Sequence, residues 1–114
     1  MKAGFCVVLV TCGSPAEARR IARSIVGKKL AACANVLTRV ESIYRWKGKV
    51  ERSREVLLVI KTTSRRLREL QSEIKRLHSY DVPEFLVLPI VTGSAEYLAW
   101  LAEGTTANKR EGKK

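Results

Sequence analysis

The chain is poor in the residues on which enzymatic chemistry most often rests. It has one histidine, His78, among 114 residues. A histidine base would have to find every other catalytic group elsewhere, and no Ser-His-Asp or Cys-His pair has local support. Glycine is not clustered, and Gly13, Gly27 and Gly48 stand alone at turns, so no glycine-rich loop cradles a phosphate. No apolar run approaches the ~20 residues that a membrane-spanning helix needs. Cysteine is scarce and odd in number, with Cys6, Cys12 and Cys33. That fits free thiols in a reducing cytoplasm better than a secreted disulfide framework. The first apolar stretch, Phe5 to Val10, is short and lacks a small-residue cleavage site, so it reads as a strand and not as a signal peptide. These absences point to a cytoplasmic, non-enzymatic protein.

What is abundant is positive charge. Lys and Arg outnumber Asp and Glu by 22 to 11, a formal net charge of +11. Such an excess attracts polyanions, anionic membranes or acidic partners. Along the chain, however, no basic segment is interleaved with aromatics, so nucleic-acid binding ranks last among the binding readings. The length suits one domain with a modest core, for which subunit association would be a gain.

The pattern of apolar residues gives the order of elements. Phe5 to Cys12 is almost continuously apolar and β-branched, as in a strand covered on both faces. Ser14-Pro15-Ala16-Glu17 then supplies an N-cap, a proline at the first helical position and a glutamate at the third. Ala18, Ile21, Ala22, Ile25 and Val26 follow at helical spacing, with Gly27 as the stop. A second extended region runs from about Ala32 to Trp46, turns at Lys47-Gly48, and returns as a third strand from Lys49 to about Thr62. Ser64 is expected to cap a second helix carrying the stripe Leu67, Leu70, Ile74 and Leu77. Phe85 to Val91 reads as a fourth strand, which Pro89 consigns to a sheet edge or bulge. Gly93-Ser94 precedes a short helix, Ala95 to Glu103, closed by Gly104.

The order predicts an α+β fold, a ferredoxin-like βαββαβ sandwich with an extended β-hairpin and a short C-terminal helix. The domain is expected over residues 1–104, with 105–114 a basic, disordered tail. One face of the sheet is left without helices, and the protruding polar hairpin carries Tyr44 and Trp46. Both features call for a covering subunit, and Trp100 is read as an interface residue beside them.

Chemistry concentrates in His78-Ser79-Tyr80-Asp81-Val82-Pro83-Glu84, a loop holding an imidazole, a phenol, two carboxylates and a rigid proline. His78 is either a binding group or a cap on the preceding helix C-terminus, with Tyr80 packed as a lid, and the residues alone do not separate the two. Cys33, within Ala31-Ala32-Cys33-Ala34, is a buried small residue or, beside His78, a soft ligand for copper or zinc. Cys6 and Cys12 share one strand face about 20 Å apart and cannot share an ion. Lys61, ending a buried strand, is a snorkelling edge residue or a pocket cation.

Five blocks, in order, resemble the CutA family, the proteins named for divalent-cation tolerance. They are Lys29 to Asn35 (KLAACAN), Ser42 to Lys49 (SIYRWKGK), Glu55 to Thr62 (EVLLVIKT), Leu77 to Glu84 (LHSYDVPE) and Tyr97 to Leu101 (YLAWL). The resemblance implies a homotrimer, similar in architecture to PII-type signalling proteins, in which the hairpin with Tyr44 and Trp46 pairs with a neighbouring subunit. It implies a cleft between subunits formed by Cys33, Lys61, His78, Tyr80 and Glu84. Copper or another divalent cation, held by Cys33 and His78, is the bound group it offers. The alternative is a PII-like regulatory module that docks a small ligand or partner without metal. The chain departs from the family pattern where Ser79 replaces a usual proline and Leu77 a second histidine found in some members. A cysteine near the end of the first strand in some members corresponds here to Val10, with Cys12 two residues later.

Overall fold

The computed structural model describes residues 4–106. Its elements are β1 (Phe5–Cys12), α1 (Pro15–Gly27), β2 (Cys33–Trp46) and β3 (Lys49–Thr63), a 3-10 turn (Ser64–Arg66), then α2 (Leu67–Leu77), β4 (Leu86–Pro89) and α3 (Ala95–Gly104). The four strands form one antiparallel sheet in the order β2-β3-β1-β4. This is the ferredoxin-like arrangement expected. β4, cut short at Pro89, is an edge strand, as a residue without an amide hydrogen requires.

The side-chain period of two assigns the two faces of the sheet. Cys6, Val8, Val10 and Cys12 of β1 lie beside Val56, Leu58, Ile60 and Thr62 of β3, and all are buried. They meet Ala18, Ile21, Ala22 and Ile25 of α1 and Leu70 and Ile74 of α2 in one core. Thr62, the polar member of this row, donates its hydroxyl to the Leu30 carbonyl at 2.7 Å, which removes the penalty of burying it. Glu73 of α2 ties the helices together, accepting from Ser24 (2.6 Å), Lys28 (2.9 Å) and Arg76 (2.7 Å). The hydrogen bonds from Arg76, Ser24 and Lys28 hold its carboxyl far below the ordinary range, outweighing its burial.

Helix ends differ in part from expectation. Ser14 caps α1 as read, accepting from the Glu17 amide at 3.2 Å. The left-handed position after α1 falls on Lys29 (φ 61) and not on Gly27. Ser64 opens the 3-10 turn instead of capping α2, and its hydroxyl accepts from the Gly4 amide at 2.8 Å, stitching the turn to the first strand. At the hairpin, Lys47 (φ 50) and Gly48 (φ 81) both take positive φ between paired Trp46 and Lys49, a two-residue turn of the primed type. A bulge interrupts the β2–β3 ladder between Leu37 and Val40. It falls where the buried half of β3 gives way to exposed residues, so the bend marks where the hairpin leaves the helix layer. α3 packs at the Phe5 end of the sheet, its Gly104 so close to Ala32 that an added Cβ would lie 3.0 Å from the Ala32 Cβ. Thr105, assigned by sequence to the tail, is buried and bonds to Leu101 and Thr63. The rest of the expected tail, residues 107–114, lies outside the described residues.

Candidate functional site

The expected site residues fall into three groups. The first is at the start of β2, where Cys33 pairs with Lys61 of β3 on the helix-free face. The Lys61 ammonium lies 4.0 Å from the Cys33 sulfur and donates to the Asn35 side-chain carbonyl. Asn35 was not singled out in the sequence. Two residues beyond Cys33 on the same strand, it shares that face by alternation alone.

The second group gathers around the loop that follows α2. His78 is the C-terminal cap of α2 and its ring is buried. Nδ1 accepts the Tyr80 amide hydrogen at 3.0 Å, so Nε2 carries the proton and donates to the Thr11 carbonyl at 2.7 Å. Both ring nitrogens are thereby engaged. Tyr80 stacks at a tilt on His78, centroids 4.6 Å apart, and donates its hydroxyl to Glu55 at 2.8 Å. Burial first, and then that bond and charge of Glu55, push the phenol well above its ordinary pKa. Glu84 is raised too, by burial and by Glu55 nearby.

Glu17 anchors this loop from α1. It accepts the Ser79 amide at 2.6 Å and the Gly13 amide at 3.3 Å, and lies 3.7 Å from His78 Nδ1. Its burial would raise its pKa, but the bonds from Ser79 and Gly13 and the neighbouring His78 prevail and lower it. Cys12 sits below, its thiol pushed up to about 12 by burial and by Glu17 and Glu55. Glu17 was legible only as a helix-start residue. Glu55 was read only as the edge of a family block, because its place beside Tyr80 follows from strand register.

The third group is apolar. Trp46 and Tyr44 stand exposed near the hairpin tip, 58% and 42% accessible, and Trp100 stacks on Tyr97 of α3 at 5.4 Å, itself 48% accessible.

Cys33 and His78 do not meet within the chain. Cys33 is opposite Lys61, whereas Thr11, which holds His78, is opposite Leu57. Four residues of β3 separate the two levels, about 13 Å at strand rise. Among the described residues no three His, Cys, Asp or Glu side chains cluster with metal-binding geometry.

The sequence profile of the CutA1 divalent ion tolerance protein matches residues 6–104. The divalent-cation tolerance protein CutA of Thermus thermophilus is 48% identical over 99 residues, 87% of this chain and 96% of that protein. The chloroplastic CutA protein of Arabidopsis thaliana is 46% identical, and there the aligned part is 87% of this chain but only 54% of the relative. The chain thus spans about half the length of the plant relative. Among solved structures, that of the T. thermophilus protein superposes with a TM-score of 0.87 at 46% identity, covering 90% of this chain and 99% of the other. That of CutA1 from Oryza sativa gives 0.87 at 43% identity, covering 91% and 95%. With the βαββαβ sheet, the long bulged hairpin and the family blocks all in place, the chain belongs to the CutA1 divalent ion tolerance family.

Proposed function

We propose that the protein is a non-enzymatic homotrimer of the reducing cytoplasm that takes part in the response to divalent cations, copper among them, by binding a metal ion or small ligand in clefts between subunits. One observation carries the association. The helix-free face and the hairpin expose Leu37, Ile43, Tyr44, Trp46, Val50, Leu86 and Leu88, more large apolar surface than a monomer of this size ordinarily shows. Covering it would bring Tyr44, Trp46 and Trp100 into interfaces and set Cys33 and Lys61 of one subunit against a neighbour.

In that assembly Cys33 is the soft donor, with Lys61 beside it able to hold a thiolate or an acidic ligand. His78 joins only by exchanging the Tyr80 amide for the ion, which makes Tyr80 and Glu84 part of the same rearrangement. A second reading, a PII-like regulatory module for an anionic small ligand, draws on another feature. A groove of about 820 Å³ opens at the bulge, lined by Arg39, Glu41, Arg52 and Arg54 among others, with Glu41 paired to Arg52.

The test is light scattering of the reduced protein with calorimetric titration of copper and zinc ions in the same buffer. A trimer is expected, binding copper, with affinity at least tenfold weaker in Cys33→Ser and His78→Ala. A trimer that binds neither ion would move the function to the second reading. A monomer would overturn both.

A further inference from the structure

The cations of the helix layer are scattered in the sequence and assembled by the fold. Contacts of Arg20 with the Leu77 carbonyl, and of Ser24 and Lys28 with Glu73, show α1 and α2 lying side by side in antiparallel directions. α1 turns Ala18, Ile21, Ala22 and Ile25 to the core, so Arg19, Arg20 and Arg23 face away at 100° per residue. α2 turns Leu70 and Ile74 inward, which leaves Arg68 and Lys75, seven residues and about 10 Å apart, on its outer stripe. Arg65 precedes them in the 3-10 turn, and all six are exposed.

The acids of these two helices do not offset that charge. Glu17 is turned to Gly13 and Ser79, Glu73 is enclosed by Ser24, Lys28 and Arg76, and Glu69 pairs with Arg66 at 2.8 Å. Arg19, Arg23, Arg65, Arg68 and Lys75 have no ion-pair or hydrogen-bond partner among the described residues. The outer face of the helix layer therefore carries five exposed cations without a partner, and its exposed acid, Glu69, is paired with Arg66.

From this charge complementarity we infer that the α1–α2 face binds the phosphate backbone of double-stranded nucleic acid, without reading its sequence. Guanidinium groups suit phosphate oxygens, and neutralised phosphates release counterions. The exposed aromatics, Tyr44, Trp46, Tyr80, Tyr97 and Trp100, all lie off this face, so it has no platform for stacking single-stranded bases. Val26 is its one exposed large apolar residue, too little to seat a helix pair in a lipid interface.

The experiment measures anisotropy of a fluorescein-labelled, mixed-sequence DNA duplex of about 24 base pairs with the full chain, from about 50 to 200 mM KCl. Binding is expected at low salt, with log affinity falling linearly against log salt by about 0.9 per phosphate contacted. The variant R23E/R68E/K75E should lose at least tenfold in affinity and flatten the slope. Charge reversal on the hairpin (K47E/K49E) or near the end of the chain (K113E/K114E) should change affinity by less than about threefold. Should the reversed variant fold poorly by circular dichroism, R23Q/R68Q/K75Q makes the same test without new acids. Absence of duplex binding at the lowest salt overturns the inference. So does loss of binding in the hairpin or terminal variant with none in the face variant. Binding to vesicles of phosphatidylcholine and phosphatidylserine (about 7:3) without binding to the duplex would assign the face to membranes and overturn it as well.

Discussion

The two faces of one sheet are built from the same strands and meet different fates. On the helix-covered face, β1 and β3 place Val8, Val10, Leu58 and Ile60 in full contact with α1 and α2. On the other, the alternate residues Leu9, Leu57 and Val59 are only half covered, and Leu37, Leu86 and Leu88 are exposed. Residue type does not distinguish the faces, since both are rich in Leu and Val. What distinguishes them is that α1 and α2 lie on one side only. An apolar strand residue thus reports the strand and its period, and not the element that covers it.

Core truncation sharpens that contrast most. Leu58→Ala or Ile60→Ala should cost about 3–4 kcal/mol by chemical denaturation, from lost transfer energy and a cavity. Leu37→Ala, on the open face, should change the stability of a dissociated subunit by less than about 1 kcal/mol. In the proposed trimer it should instead weaken association, read as a concentration-dependent fall in mass. Equal losses at Leu58 and Leu37 in a dissociated subunit would break the comparison.

The loop anchor comes next. His78→Ala deprives the Tyr80 amide and the Thr11 carbonyl of partners and should lower stability by about 2 kcal/mol. This loss is expected without any metal present, so a thermal melt in chelator separates the anchor from a ligand role.

Glu73→Gln probes the seam between the helices. Lys28 and Arg76 can turn to solvent, with 55% and 60% of their side chains accessible, so the expected cost is about 1 kcal/mol. The sign with pH follows from its lowered pKa. The contribution is complete above the unfolded value of 4.5 and is lost as pH falls below it. Melts of the parent and variant should therefore converge on acidification and diverge toward neutrality. Convergence on the alkaline side would contradict the assignment.

Gly104→Ala and Glu84→Gln give the smallest effects, of opposite sign. The new Cβ at 104 would lie 3.0 Å from the Ala32 Cβ and 3.3 Å from its Cα, atoms held by the backbone, and should cost about 1 kcal/mol. Glu84→Gln removes a carboxylate disfavoured by burial and by Glu55, and should raise the melting temperature at neutral pH by about 2 °C.

Much of the architecture was legible because its signals are local. The Ser14-Pro15-Ala16-Glu17 start, the Lys47-Gly48 turn, the period-two run into β3 and Pro89 at the edge each depend on a few neighbouring residues. Ser64 misled because a serine before a helical stripe has the same local signature whether it caps or opens a 3-10 turn. Its hydroxyl went to Gly4, sixty residues away.

The loop from His78 to Glu84 shows where local reading stops. The sequence named its unusual chemistry and left His78 open between ligand and cap; its backbone takes the C-cap position of α2 while its ring bonds to Thr11 and Tyr80. Glu17 was read only as a helix start and Glu55 only as the edge of a family block, because strand register and helix packing alone bring them to Ser79 and Tyr80. By itself, then, the sequence determined the elements, their order and the family blocks, since propensity, capping and periodicity act over a few residues. The tertiary structure decided the partners of His78, the 13 Å or so between the levels of Cys33 and His78, and the cation-rich helix face. Each depends on residues far apart in sequence being placed side by side by the packing of the sheet and helices.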